Sequence, residues 1–339
     1  MTPRMSVVIP AYNHGRFVGE AVSSVLGQTM ADLELIVVDD GSTDDTLAVV
    51  ESIRDPRLRV IAQPNGGTHA AINTGLRAAS APLLAILNSD DAYEPERLAQ
   101  TVAVLEREPD VALVGSHIQV IDAAGTPIAV KHGWTDLEPW PLAAPERSFR
   151  ADSDPRAALL TENYWSTSSN FVFRRAHLEQ IGAVRPLRYV HDWDLALRLA
   201  LVGRLVLLQR PLLRYRVHER NTIRENQAAM IFEICWTLAV HLPQHLATPW
   251  FAGLDPGVGV ERLLYSIHTL DCDRVLAVLL ANRVADDRGA ALAWLAPGDT
   301  RRAACLEFIA GRVGRGSAED AAPSPAGWLT RWWSRRERG

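Results

Sequence analysis

The sequence predicts an α/β fold built on a mainly parallel sheet, and two observations carry that reading. Short apolar runs alternate with amphipathic stretches throughout the first half of the chain. The runs ending at Ile9, Val38 and Leu87 are each followed by proline, aspartate or asparagine. Polar groups at strand carboxyl ends are where open α/β sheets bind ligands. Met5–Ile9 is the first strand, closed by Pro10, and the helix from about Arg16 carries Phe17, Ala21, Val22, Val25 and Leu26 on one stripe. Leu33–Val38 is the second strand and Asp45–Ile53 the second helix. Leu58–Ile61 is the third strand, followed by Asn65-Gly66-Gly67 and a helix through Ala79. Pro82–Leu87, a helix over Pro95–Glu108 and a strand at Val111–Gly115 complete the run. Residues 122–160, rich in proline, tryptophan and charge, read as a long loop or small excursion. Order returns with the strand Asn170–Arg174, helices from Arg175 and from Asp192 to Val202, and the strand Arg204–Leu208. Beyond Asn226 apolar positions recur at three and four through Ile309, which predicts a helical appendage. The expected organisation is a domain over 1–225, a helical region over 226–316, and a flexible linker with a basic, Trp-rich tail over 317–339.

The 339 residues are 47% apolar and 22% charged, which excludes a disordered chain. A net charge of −5 gives no pull toward nucleic acid. Cys235, Cys272 and Cys305 fit neither a zinc spacing nor a disulfide framework. No apolar run reaches the length of a membrane span. With no signal peptide read at the N-terminus, the expected location is the cytoplasm.

Four constellations carry chemistry. Asn88-Ser89-Asp90-Asp91 follows a buried strand, and two adjacent carboxylates there need a cation or a donor network. The same pair reads equally well as capping chemistry for the helix that opens near Pro95. Asp39 and Asp40 end the second strand, where one can accept from a base or ribose and the other serves the turn. Pro10-Ala11-Tyr12-Asn13 ends the first strand: Tyr12 offers a flat face for a base, and Asn13 a helix cap. His191-Asp192-Trp193-Asp194 opens an apolar helix whose dipole favours an ionised carboxylate, though an aspartate there is also a common cap.

Together, "VVIPAYN", "ELIVVDDGSTDDT", "NGG…AAINTGL", "LNSDD", "HDWDLALRL" and "YRVH" resemble a family 2 glycosyltransferase with a GT-A fold, over roughly residues 5–225. No Gly-x-Gly-x-x-Gly follows the first strand, so a bare dinucleotide-binding fold is disfavoured. The resemblance implies an inverting enzyme that moves a sugar from a nucleotide-diphosphate donor, UDP- or dTDP-linked, to an acceptor hydroxyl with Mn²⁺ or Mg²⁺. It implies a place in cell-surface polysaccharide or glycolipid assembly, with a sugar or lipid-linked acceptor. Asp40 then accepts the base N–H beside a wall of Pro10, Ala11, Tyr12 and Asn13, with Asn73 on the nucleotide side. Asp91 binds the ion, and Asp90 lies nearer the ribose or the ion's water. His218 sits near the diphosphate or metal, Asp192 is the catalytic base, and Trp165 and Asn170 face the acceptor. Three positions depart from the pattern: Asn88 replaces the first aspartate of a strict Asp-x-Asp, Ile72 an arginine, and His191 an acidic residue. A nucleotide-sugar-binding protein without chemistry and a sugar nucleotidyltransferase are the rival classes. The intact Asp91 and Asp192 argue against the first. The single glycine and arginine in Tyr12–Arg16 argue against the second. Finally, three tryptophans and four arginines between Trp328 and Arg338 suit peripheral contact of residues 328–339 with an anionic bilayer, and equally a solvated terminus.

Overall fold

The computed structural model describes residues 2–133, 137, 155–160, 162–219, 221, 226–252, 273–282, 284 and 286–313. The expected linker and tail over 317–339 lie outside them, as do most of the excursion at 134–154 and Cys272. The described residues form two compact units. The first runs to 133 and takes in 155–159 and 163–221; the second holds the helices from 226 onward.

The first unit is organised by a nine-stranded sheet. Strand β1 (Met5–Ala11) is buried at all seven positions, as a continuous apolar run covered on both faces must be. It lies between β2 (Leu33–Asp39) and β4 (Leu83–Ile86), parallel to both, and β3 (Leu58–Ala62) extends β2. The intervening helices cover this parallel half. Helix α1 (Gly15–Leu26) buries Val18, Ala21, Val22 and Val25, and α2 (Thr46–Ser52) buries Thr46 and Val50. Helix α3 (Thr68–Ala78) buries Ala71, Ile72, Gly75 and Leu76, so Ile72, a departure in the motif, is a core residue. Gly75 lets α3 approach β1 closely: a Cβ there would stand 2.2 Å from Val8 Cγ1.

The other half is mixed, which strand-helix alternation did not foretell. Beyond the short strand β5 (Ala92–Tyr93), helix α4 (Arg97–Arg107) leads to β6 (Val111–Ile121) and its hairpin partner β7 (Pro127–Lys131). After the short helix α5 (Pro155–Ala158), β8 (Val172–Arg174) runs antiparallel to both β4 and β6 and joins the two halves. Helices α6 (Arg175–Ile181) and α7 (His191–Val202) precede β9 (Arg204–Arg216), which pairs parallel with β6 and antiparallel with β5. Both β6 and β9 run well past their expected ends at Gly115 and Leu208. Pro211 reads as a strand terminator, but it sits where the register shifts around His117, and such an irregularity tolerates a missing N–H.

In the second unit, α8 (Gln227–Leu246) is capped by Asn226, whose side chain accepts the Ala229 N–H at 3.0 Å. It packs against helices Asp273–Ala281 and Thr300–Val313. Trp236, fully buried, donates its indole N–H to the Ala291 carbonyl at 2.9 Å. Cys235 and Cys305 are buried. Among the described residues, no helix is long and apolar enough to cross a membrane.

Candidate functional site

The carboxyl ends of β1, β2 and β4 lie side by side, so the loops that follow them converge. Asn13 takes a left-handed φ of 54°, which asparagine tolerates. Its side-chain oxygen accepts the Thr43 N–H at 2.8 Å, while its own N–H donates to Ser42 Oγ at 3.0 Å. It therefore ties the β1 loop to the β2 loop rather than capping α1. Pro10 and Ala11 are buried beneath it, and Tyr12 stands 46% exposed with its ring available.

The two aspartates after β2 divide as the turn chemistry requires. Asp39 accepts the Ser42 N–H at 3.1 Å and closes the turn. Asp40 accepts from Gln63 Nε2 at 2.6 Å and from the Gly66 and Gly67 N–H groups at 2.9 and 2.8 Å. It thus organises the loop into α3, leaving one oxygen with a single partner. Gly41, which follows Asp40, has φ of 76°, and a Cβ there would press on the Asn65 nitrogen at 2.9 Å.

The Asn88–Asp91 corner is not a helix cap. Helix α4 begins at Arg97, and Glu96 occupies its N-cap. Asn88 donates to Thr167 Oγ1 and accepts from Ser168 Oγ, and its backbone N–H donates to Ser169 Oγ. Asp90 Oδ2 lies 3.0 Å from His218 Nε2. Burial alone would raise the Asp90 carboxyl. The His218 bond and the His14 and His218 rings outweigh it and hold the carboxyl below its ordinary value. Asp91, 1% exposed, turns the other way: Oδ1 accepts the Arg216 N–H at 2.9 Å and Oδ2 the Ser169 hydroxyl at 2.5 Å. Burial, then the neighbouring Asp90 charge, push its carboxyl well above the ordinary range. The sequence expectation puts the ion on Asp91; in the structure each Asp91 oxygen accepts one protein hydrogen bond, while Asp90 is the carboxylate beside the His218 and His14 rings.

His14 Nδ1 hydrogen-bonds Ser89 Oγ at 2.8 Å. Ligand atoms of His14, Asp90 and His218 all fall within 4.8 Å of one another. Nothing local marks His14 beyond its place after Asn13, because Ser89, Asp90 and His218 lie 75 and more residues away. Arg216 was missed for the same reason. Its guanidinium donates to the Asp90 and Asp122 carbonyls at 2.9 and 3.2 Å, pairs with Glu20, and lies over the Phe17 ring.

Asp192 lies in the first turn of α7, 8% exposed. It accepts the Trp193 N–H at 2.7 Å and a bond from the Asn163 side chain. Burial raises its carboxyl above the ordinary range, with His191 opposing. The N-cap of α7 is Val190, so Asp192 is not its cap. The His69 ring, lowered mainly by burial, also feels both His191 and Asp40. That places the start of α7 and the end of β2 around one imidazole. Asp194 pairs with Arg185 and Arg198, and Arg198 also donates to the carbonyls of Ile181, Gly182 and Ala183. The network pins the segment entering α7.

Three expected site residues are used elsewhere. Asn73 spends both ends of its amide on the Val184 backbone, at 2.8 and 2.9 Å, and clamps that same segment. Trp165 is fully buried, so neither face is open to a sugar. Asn170, also fully buried, accepts from Arg97 and the Ser116 N–H and donates to the Ser116 carbonyl. Trp165 and Asn170 are core positions, and the acceptor expectation for them gives way to that burial.

Comparison with known proteins bears on this arrangement. Residues 6–182 match the model of Glycosyl transferase family 2. A chondroitin synthase of Pasteurella multocida is 30% identical over 226 residues, covering 66% of this chain and 22% of that protein. The matched stretch spans between 21% and 66% of the length of the first four curated relatives. Staphylococcus aureus TarS 1-349 in complex with UDP-GlcNAc superposes with a TM-score of 0.58 at 19% identity, over 92% of this chain and 80% of that one. A mannosyltransferase from Pyrobaculum calidifontis in complex with GDP-Man and Mn²⁺ gives 0.53 at 22% identity, over 94% and 89%. These likenesses show the architecture to be the GT-A fold expected from the sequence.

Proposed function

Because the chain belongs to glycosyl transferase family 2, we propose that it transfers a sugar from a nucleotide-diphosphate donor to an acceptor hydroxyl, with inversion and with a divalent ion. The observation that carries the reading is the Asp90–His218 pair, 3.0 Å apart at the carboxyl end of the sheet. Asp90 and His218 at that spacing would hold Mn²⁺ or Mg²⁺, and such an ion would offset the charge that builds on the leaving group. Asp90 and His218 hold that end of the donor, and Asp91 braces the corner through Ser169 and Arg216. The exposed Tyr12 ring and the Asp40 carboxylate serve the nucleoside, consistent with a UDP- or dTDP-linked donor. Relatives acting in chondroitin and succinoglycan synthesis favour polysaccharide assembly as the setting.

Asp192 takes the proton from the acceptor hydroxyl as its oxygen attacks the anomeric carbon opposite the leaving group. Burial makes this carboxylate a stronger base than a solvated one, and general-base help is worth ~10²–10⁴-fold. A single displacement asks for no protein nucleophile. Peripheral contact of residues 328–339 with an anionic bilayer belongs to the same reading, bringing the enzyme to a lipid-linked acceptor. Asp192→Asn tests the assignment: transfer is abolished while UDP binding, read by calorimetry with Mn²⁺, stays within error of the native protein. Normal turnover by that variant removes Asp192 from the role.

A further inference from the structure

We infer that His14 is a third protein ligand of the ion, making the centre a two-imidazole, one-carboxylate site that selects Mn²⁺ and Co²⁺ over Mg²⁺. The inference rests on the ion corner proposed above and goes beyond it. His14 enters from the β1 loop, His218 from the end of β9 and Asp90 from the end of β4. One ligand atom of each lies within 4.8 Å of the others, and the Asp90–His218 edge is 3.0 Å. Bonds of ~2.1 Å around one ion put neighbouring ligand atoms about 3.0 Å apart and opposite ones about 4.2 Å apart. The Asp90–His218 edge already has the spacing of neighbouring ligands, and His14 closes on the same ion through side-chain movement.

The His14 side chain has the kind of anchor that a metal-bound histidine has. Such rings engage one nitrogen with a fixed partner and present the other. Here Nδ1 is held at 2.8 Å by Ser89 Oγ, a residue 2% exposed. The backbone is fixed as well, the His14 N–H donating to Thr46 Oγ1 at 2.8 Å. The His14 and His218 rings meet edge to face at 89°, with centroids 5.7 Å apart, so both nitrogens can address one point without stacking. Two imidazoles and a carboxylate leave half of an octahedron open for diphosphate oxygens and water. Magnesium prefers oxygen and gives up its waters reluctantly, whereas imidazole suits the transition ions.

The test uses the full chain stripped of metal, with Mn²⁺ alone and Mg²⁺ alone as probes. Pulsed EPR of the Mn²⁺ form should resolve two directly bound imidazole nitrogens, and His14→Gln should leave one. By calorimetry, His14→Gln should weaken Mn²⁺ by at least ~10-fold and Mg²⁺ by no more than roughly threefold. A native spectrum with one nitrogen overturns the inference without any variant, as does unchanged Mn²⁺ affinity in a folded His14→Gln protein. Asp90→Asn separates the two claims. If the single nitrogen signal of the native form vanishes with Asp90, the ion corner stands and His14 alone is removed. If Asp90→Asn binds Mn²⁺ as the native chain does, the ion is not at this corner, and the reading beneath the inference falls with it.

Discussion

Adjacent aspartates with opposite duties make a sharp experiment. Asp90→Asn removes the carboxylate nearest His218, and the loss in Mn²⁺ affinity should exceed the ~10–100-fold typical of residues that only support a ligand. Asp91→Asn should cost less than ~10-fold, because both Asp91 oxygens face protein donors. Its effect on stability follows from those bonds. The asparagine carbonyl keeps the Arg216 N–H, and its amide can reach Ser169 Oγ, whose hydroxyl must then turn elsewhere. The lost charge-assisted bond, about 1.5–3 kcal/mol, is offset by removing a buried charge that burial and Asp90 already disfavour. Asp91→Ala has no such offset in bonding. It strands the Arg216 N–H and the Ser169 hydroxyl at about 1–3 kcal/mol each, so about 2–6 kcal/mol in all. Urea unfolding in chelator gives the stabilities, and calorimetry with Mn²⁺ gives the affinities. If Asp91→Asn loses Mn²⁺ as completely as Asp90→Asn, the division between ligand and scaffold is wrong.

If Asp192 is the proposed base, transfer needs it ionised, and kcat/KM should fall with pH through a pKa above the ordinary carboxylate value of ~4, since burial raises this group. An acid limb at or below that value would count against Asp192 as the base. The stability linked to the same group has the opposite sign: it is present at low pH and lost as pH rises through the raised pKa, so Asp192→Asn should gain on the native chain toward neutral pH in unfolding experiments. Gly75→Ala gains about 1 kcal/mol of helix propensity but drives a methyl to 2.2 Å from Val8 Cγ1, so a net loss of up to about 2 kcal/mol is expected. Gly19→Ala meets only Val49 at 3.6 Å and should stabilise by about 0.5–1 kcal/mol; melting both variants checks the pair. Truncation before Ala318 should abolish sedimentation with anionic vesicles, and equal sedimentation of both forms would remove the membrane contact.

The fold was legible wherever a strand had no polar competitor. The fully apolar strands β1 and β4 and the stripe on α1 could be read because burial on both faces leaves one composition. The ladder of β6 and β9 was truncated in the reading because Pro211, Gln209 and Arg210 look like loop residues, and only pairing absorbs them. Around the candidate site, Asp40, Asp90 and Asp192 can be singled out from the sequence because they stand at element ends with local signatures. Asn73, Trp165 and Asn170 were misplaced for the complementary reason. A polar or aromatic side chain shows what it can bind but not what it meets, and Asn73 meets a backbone 111 residues away. His14 and Arg216 carry no local signature at all; their roles arise only when three strand ends converge.

That convergence bears on how much of the chain the chemistry needs. The family match ends at residue 182, yet the ion corner depends on the far end of β9. Arg216 holds Asp91 with its backbone N–H and the Asp90 carbonyl with its guanidinium, and His218 follows two residues later. Phe17 packs between them, its ring 5.0 Å from His218 and beneath the Arg216 guanidinium at 5.1 Å. Strand β9 reaches that place through its long parallel pairing with β6, so the corner is assembled by the last ladder of the sheet. The base has the same dependence. Asp192 stands on α7, whose entry is fixed by Asn73 from α3 and by the Asp194–Arg198 pair buried within α7 itself. A piece covering only the matched residues would keep Asp40, Asp90 and His14 but lose His218, Arg216 and Asp192 together. On the proposed assignment, the nucleoside contacts come early in the chain, and the ion corner and base form only once the mixed half of the sheet has closed on them.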